Sequence, residues 1–248
     1  MYRWMFVDPR GRWYRRAKPY FSFGSTLHKV LQRFHEEGGV GAVTKEVLLA
    51  NYEANWIEAG YDSEEESQRH LALGRELLDT YYERLAVQPS EARPVYTERM
   101  LRCDMGPFTL SGRVDRVDEY PDGRLEIVDY KSGRDSVTED DVRDDLAMSA
   151  YQLLLKKTHP ERDVFATIHA LRAGDSASYA LTEAEMAHFE EDLRLLGEEI
   201  LACEWESLTP SYKDLCLRCD YVALCKRHPP YADEWNASQS TDGETPPQ

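Results

Sequence analysis

Residues 125–133 read LEIVDYKSG. The stretch opens as an apolar strand and then sets Asp129 and Lys131 two residues apart. Alternate side chains of a strand share a face. Leu125, Ile127, Asp129 and Lys131 therefore point the same way, and two charges stand where the strand should pack its core. A surface ion pair at a strand end would explain that spacing taken alone, so the neighbouring sequence has to decide. The preceding segment, SGRVDRVDEY, also reads as a strand and carries Asp115. The link YPDGR, with Asp122-Gly123, is a hairpin turn signal. A hairpin brings Asp115 beside Asp129. Two buried carboxylates repel each other unless a cation sits between them. Hard oxygen ligands in small number favour Mg2+ or Mn2+, which keep positions open for water and phosphate. A lysine beside such an ion can orient the attacking water, and the chemistry is metal-assisted phosphodiester hydrolysis.

Upstream, VYTERMLRCDM is a third strand of the same meander. Downstream, residues 139 to about 158 read as one helix. VFATIHAL (164–171) reads as a fourth strand and 176–181 as a short fifth. Residues 182 to about 203 form a long helix that opens on TEAE, a capping-box pattern. Before the meander, FSFGSTLHKVLQRFHEEGG reads as a helix, capped by Ser25 or Thr26 and stopped at Gly38-Gly39. Residues 44 to about 59 and 63 to about 86 give two more helices, the last opening on Glu64, Glu65 and Glu66 as suits a helix N-terminus. The order predicts a mixed α/β (α+β) core with a helical N-terminal lobe. From Tyr231 the chain is polar and is expected to be disordered.

A chain of 248 residues suits one large domain or one domain with appendages. No apolar run approaches the roughly 18–20 residues that span a bilayer, and the N-terminus lacks the apolar segment of a secretory signal. A cytoplasmic protein without membrane contact is expected. The net charge of -16 and pI near 4.9 argue, in bulk, against a polyanion partner. Residues 1–18 are the exception: Arg3, Arg10, Arg12, Arg15, Arg16 and Lys18 stand against the single acid Asp8, among Trp4, Trp13 and Tyr14. This arm is either a nucleic-acid contact or a solvated edge. Five cysteines, an odd number, argue against a disulfide framework. Cys216, Cys219 and Cys225 have the C-x-x-C-x5-C spacing that can wrap zinc or an iron–sulfur cluster.

Taken together, GRVDRVDEY, a turn, LEIVDYKSG, the Gly24–His28 pattern in FGSTLHKVLQRF and the cysteine segment CLRCDYVALC resemble the RecB-like branch of the PD-(D/E)XK nuclease superfamily. Stand-alone RecB-family exonucleases and the CRISPR-adaptation nucleases are similar. The resemblance implies a restriction-endonuclease-like core with a central mixed β-sheet flanked by helices. It implies Asp115, Asp129 and Lys131 as catalytic residues. His28, Asp115, Asp129 and the main-chain carbonyl of Tyr130 would hold Mg2+ or Mn2+. Glu98, in YTERM, stands where many members have a glutamate, and Tyr151 where they have the tyrosine of a Gln-x-x-x-Tyr helix. Ala147 replaces that glutamine, which puts substrate preference in doubt. Tyr151, Glu98, Arg12, Arg15 and Arg16 are the expected DNA-binding or supporting residues. Asp118 reads as a strand-edge charge.

The same resemblance implies a [4Fe–4S] cluster at Cys216, Cys219 and Cys225. Its fourth cysteine either lies upstream of Met1 or is Cys203, with Cys103 and His228 weaker candidates; zinc is the other occupant. The implied layout is 1–92 for basic arm and helical lobe, 93–203 for the nuclease core, 204–230 for the cysteine segment and 231–248 for a disordered tail. The implied activity is DNA cleavage at single strands or duplex ends, in repair and recombination or in processing foreign DNA. With no G-x-x-x-x-G-K-[ST] loop, a helicase would be a separate chain, and a CRISPR-adaptation protein is another possible partner. The competing expectation is a catalytically inactive DNA-binding or scaffold subunit.

Overall fold

The LEIVDYK strand is the middle of a five-stranded sheet with strand order β1-β2-β3-β4-β5. The computed structural model describes residues 17–133, 136–204 and 207–241. β1 is Arg93–Asp104, β2 Thr109–Glu119, β3 Leu125–Lys131, β4 Val164–Ala170 and β5 Asp175–Tyr179. The first three strands form the expected antiparallel meander. In the β2–β3 turn the Tyr120 amide donates to Arg124 O at 2.9 Å, and Gly123 takes φ +89°, which disfavours any residue with a side chain. β3 and β4 pair in parallel, so the chain must cross over. It does so through α4 (Glu139–Arg143) and α5 (Leu146–Thr158). The result is a mixed sheet flanked by helices.

α1 (Pro19–Glu36), α2 (Lys45–Ala54) and α3 (Glu64–Val87) form the N-terminal lobe. Phe23, Leu27, Leu31 and Phe34 lie on one stripe of α1 and join a buried cluster with Leu48, Tyr52 and Leu78. Val128 and Tyr130 of β3 belong to that cluster too. Leu125 and Ile127 belong instead to a second cluster with Met148, Leu154 and Leu155 of α5. β3 thus divides two cores, giving alternate residues to each. Each fully buried Leu, Ile or Phe contributes about 1.5–3 kcal/mol, so losing either layer would unfold the sheet. Local signals agree with the elements. Ser63 accepts the Glu66 amide at 3.1 Å to cap α3. Thr182 and Glu185 form the reciprocal box that starts α6 (Glu183–Ala202).

The chain differs from sequence expectation in five places. α1 begins at Pro19, not at Ser25 or Thr26: proline is suited to a first turn, and the Thr26 hydroxyl instead donates to Ser22 O at 2.8 Å inside the helix. α2 stops at Ala54, because the Asn55 side chain turns back to Asn51 O at 2.8 Å and the Trp56 indole donates to Ser67. The helix expected over 139–158 is two, because the Asp145 carboxylate accepts the amides of Ala147 and Met148 and starts α5 afresh. Asp118 is buried at 4% exposure rather than lying at a strand edge. The tail expected to be disordered from 231 is helical as far as 241, and its residues 242–248 lie outside the described ones: α8 (Pro229–Thr241) buries Tyr231 and stacks it on Trp235, with Tyr212 against both rings. A short 3-10 turn (Asp214–Arg218) and α7 (Val222–Cys225) precede it.

Two compact units result. Lys18–Leu201 is one, running through the expected break at 92/93 so that the helical lobe and sheet fold together. The described residues of 202–241 belong to the other. Among the described residues, no helix is long and apolar enough to cross a membrane.

Candidate metal-binding nuclease site

A kink in β1 starts the site. Glu98 takes φ +46°, the one positive φ at a non-glycine position among the described residues. An L-residue there costs about 1–2 kcal/mol. The β1–β2 ladder skips Glu98 and Asp115 while pairing Thr97 with Arg116 and Arg99 with Val114 on either side. Side-chain direction changes across the skip. Gly112 lies against Tyr151 and Leu154 of α5, whereas Arg116 reaches His35 and Tyr81 of the helical lobe. Strained backbone of this kind clusters at functional sites, and here it turns the Glu98 and Asp115 carboxylates towards α1.

Asp115 Oδ2 accepts the Tyr130 amide at 3.1 Å, and Oδ1 lies 3.2 Å from His28 Nδ1. His28 Nε2 is 3.0 Å from the main-chain carbonyl of Tyr130. Ligand atoms of His28, Glu98 and Asp115 all lie within 4.8 Å of one another, the one such set of His, Cys, Asp or Glu among the described residues. Beside it, Lys131 Nζ lies 2.8 Å from Asp129 Oδ2 and 3.9 Å from Asp145 Oδ2. An open cavity of about 600 Å3 exposes the set along one face of α1.

Negative charge is concentrated in the site. Burial and then Asp115 push the Asp129 carboxyl up, more than Lys131 pulls it down. Burial and Asp115 likewise raise Glu98. Burial works against the His28 imidazolium, yet the Asp115 hydrogen bond and the charges of Asp115 and Asp129 raise it overall. Burial works against the Lys131 ammonium too, but Asp129, Asp145 and Asp115 together raise it.

A divalent cation fits this donor set. Two neighbouring ligands of an octahedral ion at about 2.1 Å stand roughly 3 Å apart, the separation of His28 Nε2 and Tyr130 O. Asp129 is buried, and its Oδ2 has the Lys131 ammonium 2.8 Å away as charged partner. Carboxylates raised by mutual repulsion gain most from a cation.

Tyr151 stands on α5. Its ring covers Gly112, where an added Cβ would come within 2.6 Å of it. Its phenol is raised by burial and by Asp129 and Asp115. Gln152 does not stand in for the absent glutamine: it is buried, and its Oε1 accepts the Leu181 amide at 3.0 Å. Arg12, Arg15 and Arg16 lie outside the described residues.

Sequence reasoning missed Asp145, whose helix-capping role hid its approach to Lys131. It also missed the support under Tyr130. Arg116 donates to the Tyr130 hydroxyl and, at 3.3 Å, to that of Tyr81. It also donates to His35, which burial, Arg116 and His169 hold neutral. Nε of Arg116 is 2.9 Å from Asp118 Oδ1. The Tyr130 side chain is thus held on one side of β3 while its carbonyl faces His28.

In the second unit, the Cys225 thiol is raised by burial and by Cys219 and Cys216, and the three cysteines do not form a set of ligand atoms within 4.8 Å. None of these three, nor Cys203 or Cys103, is in a disulfide.

A mixed sheet whose central strands gather acids, a histidine and a lysine around room for a cation is the arrangement of a metal-assisted hydrolase. Comparison with known proteins specifies the family: the PD-(D/E)XK nuclease superfamily model matches residues 1–226, and the chain belongs to that superfamily. The fold is accordingly restriction-endonuclease-like, and family membership makes the protein a nuclease, in a superfamily that usually employs divalent metals. No curated protein matches the chain. Thirteen chains of solved structures do. Among them is the crystal structure of SSO0001, 15% identical, covering 86% of this chain and 96% of that one with a TM-score of 0.32.

Proposed function

We propose that the protein is a Mg2+- or Mn2+-dependent deoxyribonuclease of the RecB-like branch, acting in the cytoplasm on single strands or duplex ends. Repair, recombination or foreign-DNA processing is the setting. A separate helicase or CRISPR-adaptation protein would be its partner. The observation that carries the proposal is the convergence of His28, Glu98 and Asp115 within 4.8 Å, beside the Asp129–Lys131 pair.

In this reading Asp115, Asp129, His28 and the Tyr130 carbonyl hold the ion, and Glu98 joins them. When bound, the ion polarises the phosphate and lowers the pKa of water. Lys131, anchored by Asp129 and Asp145, donates a hydrogen bond that aims the nucleophilic water at phosphorus. Asp129 accepts from Lys131 and keeps the ammonium charged. Tyr151 donates its phenol, which burial keeps protonated, to the DNA backbone or to a group that supports Lys131. Cys216, Cys219 and Cys225 hold a [4Fe–4S] cluster or zinc in a structural, not hydrolytic, role, with Cys203 or an upstream cysteine as fourth ligand.

The test is digestion of end-labelled DNA with Mn2+, comparing wild type, Asp129→Ala and Lys131→Ala. Cleavage by wild type alone supports the assignment. Equal cleavage by Asp129→Ala rejects it. Binding without cleavage in any divalent metal would favour the inactive DNA-binding subunit.

A further inference from the structure

Tyr20 stands on the first turn of α1 at 63% exposure, its ring centroid 4.3 Å from that of Phe21. It lines the same cavity as His28, Glu98 and Asp115. Residues 20, 24 and 28 are spaced by four, so Tyr20, Gly24 and His28 share one helix face. Eight residues at 1.5 Å rise put Tyr20 about 12 Å along the axis from His28. Between them Gly24 leaves the groove floor level: an added Cβ would meet nothing closer than Ser132 Oγ at 3.9 Å. Lys29 is exposed on the same wall and makes no ion pair among the described residues. Arg113, 61% exposed, faces it from β2, with Nε 2.8 Å from Glu98 Oε2.

We propose that the groove binds single-stranded DNA, with an unpaired base stacked on Tyr20 and the backbone held by Lys29 and Arg113 on its way to the metal site. The choice of DNA rests on the nuclease reading above; the rest follows from charge and shape. A body carrying -16 cannot draw in a polyanion from a distance. The two cations of the groove replace few counterions, so their own share of the salt dependence is shallow, a slope of about -1.4 for a single strand. Further affinity within the groove must come from contacts that need no charge. Stacking of a base on an aromatic ring is one, and it requires an unpaired base, because a duplex hides its base faces. The ring stands on a rigid helix, so it loses little freedom on binding.

The experiment measures fluorescence anisotropy of a short 5′-labelled oligothymidylate in EDTA, so that hydrolysis plays no part. An abasic strand of equal length and charge and a blunt hairpin are the comparisons. Wild type should bind the thymidylate best. Tyr20→Ala should weaken thymidylate binding about ten- to hundred-fold and leave abasic binding unchanged, while Tyr20→Trp retains both. The double variant Lys29→Gln, Arg113→Gln should weaken both strands alike and flatten the salt dependence. Thymidylate binding unchanged in Tyr20→Ala, an abasic strand bound as tightly as thymidylate, or a preference for the hairpin overturns the proposal. Mn2+ cleavage by wild type alongside any of those results leaves the nuclease standing and removes Tyr20 alone. Tyr20-dependent binding in a protein that never cleaves does the reverse.

Discussion

Replacing Arg116 by methionine should cost the protein about 3–5 kcal/mol, the range seen when one member of a buried ion pair is removed. Arg116 is 6% exposed and Asp118 4%. Arg116 Nε lies 2.9 Å from Asp118 Oδ1. The same guanidinium satisfies Tyr130, Tyr81 and His35, and lies over the Tyr130 ring at 5.6 Å. Methionine fills much of the volume but leaves Asp118 charged, buried and alone. Against a typical total of about 5–15 kcal/mol, that loss is large. Urea unfolding followed by tryptophan fluorescence would show a lower midpoint at unchanged slope. The deficit has a pH signature. Burial raises Asp118 even beside Arg116, which opposes it; without the arginine it rises further. An acid whose pKa rises on folding costs stability above its folded pKa and nothing below its unfolded value, near 4. The variant's deficit should therefore shrink as pH falls from about 7 towards 4. Arg116→Met with Asp118→Leu should recover most of the loss, since an apolar pair replaces a buried ion pair at little cost. A deficit below about 1 kcal/mol, or one that grows on acidification, would refute the reasoning.

His169 is pushed down to about 3 by burial, Arg116 and Arg84, so it stays neutral in the folded state and gains a proton on unfolding. Its contribution is full above about pH 6.5 and is lost on acidification at up to about 1.4 kcal/mol per pH unit; His169→Gln should flatten the urea midpoint between about pH 7.5 and 5.5, and an unchanged slope counts against it. Gly112→Ala should displace the Tyr151 ring, lowering stability by about 1–3 kcal/mol and slowing DNA cleavage, both measurable on one preparation. Glu98→Gly should relieve backbone strain of about 1–2 kcal/mol while weakening Mn2+ binding in calorimetry, so a rise in melting temperature without loss of metal would separate Glu98 from the site.

The parts of this architecture that follow a period were legible before any coordinates. Asp129 and Lys131 broke the alternation of an apolar strand, and Asp122-Gly123 announced the hairpin that returns to it. Glu64, Glu65 and Glu66 marked the start of one helix by their charge, and Thr182 marked another by the oxygen it offers to a free amide. What stayed hidden depends on contacts distant in sequence. Glu98 gives no residue-type warning of its φ of +46°; glycine or asparagine would have. Asp118, in VDRVDE, reads as a strand-edge charge, because nothing local says that Arg116 pairs with it or that Tyr81 and His35 meet that arginine. Asp145 lay in a run whose helical pattern continued through it. The helix from Pro229 shows its reason only when Tyr212 meets Tyr231 and Trp235.

The division of β3 between two cores makes the strand its own guard against misthreading. A shift of one residue along β2 or β4 would press the Asp129 carboxylate and the Lys131 ammonium into the oily packing of Leu31 and Phe34, and would swing Tyr130 away from Arg116. Neither mistake could persist, since each strands ions in hydrocarbon at a cost comparable to the whole free energy of folding. A chain that completes its interior has therefore also aligned the groups that would grip a phosphate.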